Sequence, residues 1–148
     1  MTVRPASIAV VFSAVLLAPA SPAIAQDGSF RARLSPTPVS SATVATVTGS
    51  GAATATLAGR RLTVQGTFEG MRSAATIAQI HLGPRGVRGP VMFDLTVTKA
   101  PGGTVSGTFT LTPVQVEAVK RSRFYVQIHS EEAADGNLWG WLLPAPAP

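Results

Sequence analysis

The chain has 148 residues, of which 45% are hydrophobic and 13% charged, with a formal net charge of +5 and no cysteine. Without cysteine there is no disulfide, no thiolate metal centre and no cysteine nucleophile. The positive charge comes mostly as separated arginine pairs, Arg31/Arg33, Arg60/Arg61, Arg85/Arg88 and Arg121/Arg123. Nucleic acid asks for a continuous basic stripe with interleaved stacking residues, so these pairs argue against it as a partner. They read as solvated strand ends, and weak attraction to anionic envelope polymers or lipids is the functional alternative.

Residues 1–25 carry the pattern of an export signal: Arg4, an apolar run at 8–17 (IAVVFSAVLL) and Ala23-Ile24-Ala25 before Gln26. The run is about half the ~20 residues that span a bilayer. Cleavage after Ala25 is therefore expected, leaving a periplasmic or secreted protein with no membrane span. About 120 residues remain, enough for one domain around one core at 26–143, with a Pro/Ala tail at 144–148.

Within that domain, residues 29–34 (SFRARL) alternate as a first, half-exposed strand, which SPTP at 35–38 stops. Residues 39–50 form either an irregular crossing or a weak edge strand. Residues 52–57 and 61–68 pair as a hairpin about the turn Ala58-Gly59-Arg60. A central strand follows at 76–82, and three glycines and two prolines at 83–90 turn the chain into 91–98. Residues 104–111 form the next hairpin with 91–98. Thr112, Pro113 and Gln115 then make a capping box for the one short helix, 113–121. Strands at 123–129 and 137–143 complete the chain. Strands at short intervals without a βαβ rhythm predict an all-β, antiparallel, Greek-key-like sandwich or barrel.

Side chains alternate across a strand. This places Ala78, Ile80 and Leu82 inward and Ile77, Gln79 and His81 outward. Phe124, Val126 and Ile128 go inward against outward Tyr125, Gln127 and His129. Leu138, Gly140 and Leu142 go inward against outward Trp139 and Trp141. If these strands are neighbours, one outer face gathers Gln79, His81, Tyr125, Gln127, His129, Trp139 and Trp141. Arg85 and Arg88, in the loop after His81, would add an anion contact to it.

The run IAQIHLGPRGVRGPVMFDL, then TLTPVQ ahead of FYVQIHS and DGNLWGWL, resembles the CHRD domain, a module first described in chordin. The resemblance spans residues 30–142. It implies a β-sandwich-like fold, similar in outline to copper/zinc superoxide dismutases, and no defined activity. The chain departs from the family pattern at three places. Members usually read H-I-H where this chain has Gln79-Ile80-His81. They offer Asn, His and Thr where it has Gln127, His129 and Ser130. In the final strand Trp139 and Trp141 replace the usual Arg and Gln, so a polar face has become more aromatic.

Dismutase-like copper chemistry needs several histidines, and the chain has two. No G-x-S-x-G elbow is present to supply a nucleophilic serine. The expectation is therefore a non-enzymatic, exported binding or structural module without a cofactor. Its protein or glycan ligand would meet a face built around His81, His129, Trp139 and Trp141. The alternative is a zinc or copper ion on His81 and His129, completed by water or a carboxylate from Asp94, Glu131, Glu132 or Asp135.

Overall fold

Period-two burial runs through the first strand, where Phe30, Ala32 and Leu34 are buried between exposed Arg31 and Arg33. The computed structural model describes residues 28–146, so the expected leader at 1–25 lies outside the described residues, as do the last two residues of the tail. Nine strands and one helix follow in order: β1 Gly28–Pro36, β2 Ser50–Ala58, β3 Arg61–Glu69, β4 Ala75–Leu82, β5 Val91–Val97, β6 Gly103–Thr110, α1 Pro113–Lys120, β7 Phe124–Ser130, β8 Ala133–Trp141 and β9 Leu143–Pro144. All pairings are antiparallel.

The order β2-β3-β6-β5-β4-β7-β8-β1, with β1 also paired to β2, closes eight strands on themselves. Closure leaves those strands no free edge, which suits a protein without disulfides. β9 adds two residues beside β1. The β3–β4 connection passes over β6 and β5, and the segment holding α1 carries the chain from β6 past β5 and β4 to β7. These crossings make the expected Greek key. The barrel is flattened: β1 meets β8 through two residue pairs, Ser35↔Trp139 and Pro36↔Leu138. β5 meets β6 through two more, Thr96↔Ser106 and Val97↔Val105. β1 and β5 are thus the corners between two sheets.

Leu34, Leu57, Leu62, Val64, Ile80, Val105, Phe124, Ile128, Leu138 and Leu142 fill the interior. Among the described residues, the core and the strand pairings that close the barrel lie within residues 28–144. The register sends one set of connections to each end. The β2–β3 turn, the 83–90 loop, α1, Gly28 and β9 lie at one end. Segments 37–49, 70–74, 98–102 and 131–132 lie at the other. The Thr112–Gln115 capping box forms as expected, and α1 buries Val119 against the core.

Two expectations need adjustment. Residues 39–50 are an irregular crossing of turns up to β2, so the edge-strand alternative falls. The last long strand begins at Ala133 and not at 137, because Glu131 and Glu132 alone make the turn from β7. Four residues assigned to a loop by their Gly, Asp and Ala content are instead absorbed into β8.

Candidate functional site

β4, β7 and β8 are neighbours, and their register sets the expected residues side by side. Gln79 lies opposite Gln127 and Gln127 opposite Trp139, while His81 lies opposite Tyr125 and Tyr125 opposite Trp141. The face is not open to solvent as alternation alone suggested. Tyr125 is 0%, Gln127 2%, His81 7% and Trp139 9% exposed. A sheet strand has two faces, and alternation distinguishes them without saying whether a loop covers the second.

Here the cover is the 83–90 loop, which folds back over the sheet. Gly89 N–H donates to the Tyr125 hydroxyl at 2.9 Å, and His81 Nδ1 meets the Gly89 carbonyl at 2.9 Å. Trp141 Nε1–H donates to the Gly83 carbonyl at 3.0 Å. Arg88 lies 6.0 Å over the Trp139 ring and donates to the Asp135 carbonyl. A Cβ on Gly89 would stand 1.7 Å from the Leu82 carbonyl oxygen, so this fold-back requires glycine there. Beneath it the aromatic rings pack on each other. His81 stacks on Tyr125 at 4.9 Å, Tyr125 lies 4.6 Å from Trp141, and Trp141 lies 4.8 Å from Trp139. Burial and these contacts lock the rings in place.

The second builder of the site is a bulge in β8. Between Leu138, opposite Ile128, and Ala133, opposite Ser130, β8 runs five residues while β7 runs two. The three extra residues turn a row of carbonyls toward the neighbouring side chains. The Ala134 carbonyl lies 2.7 Å from His129 Nδ1, and the Asp135 carbonyl accepts from Gln127 Nε2 at 3.0 Å. The Gly136 carbonyl accepts from Thr37 Oγ1 at 2.8 Å, and the buried Asn137 side chain donates to the Thr48 carbonyl at 2.6 Å. Gly136 adopts φ 127°, a conformation closed to most side chains.

These contacts set the protons. A carbonyl oxygen only accepts, so the Nδ1 of both imidazoles carries the hydrogen. His81 then presents a bare Nε2, while His129 Nε2 faces the Gln127 amide nitrogen. The Gln127 amide is oriented in the same way: its NH₂ points at the Asp135 carbonyl and lies 3.4 Å from His129 Nε2. Its Oε1 consequently faces away. Gln127 Oε1 and His81 Nε2 are the buried side-chain polar atoms that have no partner among the described residues. The two imidazoles lean toward each other along the sheet, with ring centroids 6.4 Å apart. Removal from water lowers the His81 pKa below 6.5. His129 and Arg88 press the same way, against the opposing hydrogen bond to Gly89. His81 is therefore a neutral lone-pair donor at neutral pH.

The remaining expected residues stand apart. Gln79 donates to Asp94 at 2.8 Å, which turns both away from Gln127. Arg85 is exposed on the loop and joins none of the hydrogen bonds above. Glu132 pairs with Arg72 at 3.3 Å, and Asp135 enters the site through its backbone. Among the described residues there is no group of three or more His, Cys, Asp or Glu side chains that could hold a metal. The buried acceptors that stay free among the described residues are His81 Nε2 and Gln127 Oε1, while His129 Nε2 is met by the Gln127 amide nitrogen. Sequence reading missed Gly89, Thr37, Asn137 and the carbonyls of Ala134 and Asp135. No sequence signal pointed to them, because the five-residue separation of Ala133 and Leu138 facing two residues on β7 appears only in the strand register.

Comparison with known proteins gives one match: the family model described as the CHRD domain covers residues 30–142. No curated protein and no solved structure matches the chain.

Proposed function

The chain belongs to the CHRD-domain family, and from that premise we propose a non-catalytic, extracytoplasmic binding module that takes a small ligand at the loop-covered face shared by His81, Gln127 and His129. One observation carries this reading: two buried acceptors, His81 Nε2 and Gln127 Oε1, are left without donors. A buried acceptor without a partner costs about 1–3 kcal/mol, and a bound donor or cation at this point recovers that loss. The unpartnered His81 and Gln127 acceptors, and not the tryptophan rings, mark the better ligand site. Trp139 and Tyr125 are buried under the 83–90 loop and packed edge-on, so neither offers a free ring face to a sugar. The leader pattern at 1–25 supports export, and among the described residues no helix is long and apolar enough to cross a membrane.

A second reading, a metal ion as that ligand, is favoured by the way both imidazoles bind. Each Nδ1 is held by a backbone carbonyl, the outer contact that fixes a metal-ligating histidine with Nε2 forward. Imidazole suits zinc and copper, and water would complete the set. Elemental analysis of residues 26–148, beside His81→Ala/His129→Ala, tests it, followed by titration of the apo protein with zinc or copper. Stoichiometric metal in the wild type alone supports the metal reading. No metal and no heat of binding would remove it. Native mass spectrometry then tests the broader proposal, which fails if no small molecule accompanies or stabilises the wild type.

A further inference from the structure

We propose that the α1 end of the barrel rests on the surface of an anionic phospholipid bilayer. The inference is independent of the ligand site. Antiparallel closure gathers Arg60, Arg61, Arg85, Lys120, Arg121 and Arg123 at this end, all exposed. Among the described residues the carboxylate beside them is Glu117, 3.9 Å from Lys120. The opposite end carries Glu69, Glu131, Glu132 and Asp135 against Arg72 and Lys99, and Arg88 of the 83–90 loop reaches toward it at the Asp135 carbonyl. The arginine pairs are dispersed along the sequence, yet the fold collects most of them on one pole. An exported domain whose basic residues only kept it soluble would have no reason to segregate them.

Two further observations select a bilayer over other polyanions. Val114, Val87 and Val91, 79%, 53% and 49% exposed, lie at this same end among the cations. Basic residues interleaved with exposed apolar ones suit an interface with headgroups above and hydrocarbon below. A cleft of about 340 Å³ lined by Leu82, Val114, Glu117, Ala118, Arg121 and Arg123 sets two guanidiniums beside an apolar wall. A headgroup phosphate above its first methylenes offers the matching chemistry.

The test uses residues 26–148, which contain the whole closed barrel, with vesicles of phosphatidylcholine or phosphatidylglycerol in a sedimentation assay. The expected result is binding to phosphatidylglycerol vesicles at low salt that is lost at high salt, and none to phosphatidylcholine. Each cation near such a surface is worth roughly a fivefold gain in partitioning. Arg85→Glu/Arg123→Glu should therefore weaken binding at least about 20-fold. Arg72→Glu/Lys99→Glu makes the same change in net charge at the other pole and should leave binding within about threefold of wild type. Thermal melts check that both variants fold, and Arg85→Gln/Arg123→Gln replaces the first if it does not. Failure of the wild type to bind phosphatidylglycerol vesicles would overturn the proposal. So would equal loss in the two double variants, which would mean net charge alone, or binding indifferent to salt.

Discussion

His81 shows how much of this site is decided one atom at a time. Its Nδ1 proton is held by Gly89, its ring lies on Tyr125, and burial lowers its pKa below 6.5. Below pH 6.5 the unfolded chain protonates this histidine before the folded one does. The unfolded state then binds more protons, so stability is fully present above about pH 6.5. It falls as pH drops through that value toward the lowered folded pKa. Urea melts at about pH 8 and about pH 5 should show this loss, and His81→Gln should remove the His81 share of it; a wild-type profile that rises toward acid would contradict the assignment. Tyr125→Phe is the second residue-scale prediction. It leaves the Gly89 N–H without its acceptor beneath the loop and should cost about 1–2 kcal/mol in denaturant unfolding. The identities of His81, Gln127 and His129 as candidates were legible because polar residues recur at period two on apolar strands. Their protonation pattern was not, because it depends on carbonyls from residues 89 and 134–135 that come near only after folding.

At the scale of the element, the 83–90 loop and the β8 bulge turn a flat sheet face into a covered polar site. Gly89→Ala would drive a methyl into the Leu82 carbonyl and should lift the loop off Tyr125 and Trp141. A red-shifted tryptophan emission with a lowered midpoint of unfolding is the expected readout, and unchanged emission would mean the loop is not the cover. Gly136→Ala should disturb the bulge from the other side, since a Cβ there stands 2.3 Å from Gln127 Nε2 and φ is 127°. By comparison Thr112→Ala removes only one helix cap, about 1 kcal/mol. The capping box was readable because it is local: Thr112, Pro113 and Gln115 satisfy one another within a single turn. The bulge was hidden because Ala134-Asp135-Gly136-Asn137 has turn composition, and only the pairing of Ser130 with Ala133 turns those residues into strand.

For the whole molecule, closure runs through two weak corners, β1–β8 and β5–β6, each with two residue pairs, against nine pairs between β2 and β3. Amide hydrogen exchange should therefore begin at Thr96, Val97 and Ser35, while the β2–β3 amides and the central β4–β7 ladder exchange last. Uniform protection around the barrel would show that the corners are not the weak joints. The sequence by itself determined the strands, the single capped helix, the antiparallel class and the family, because alternation, turn residues and capping act over a few neighbouring positions. Only the tertiary structure decided that the outward face is roofed, that His81 and Gln127 keep bare acceptors there, and that dispersed arginine pairs meet at one pole. Each of those depends on which distant segments the closed register brings together, and side-chain alternation along one strand carries no information about what lies across it.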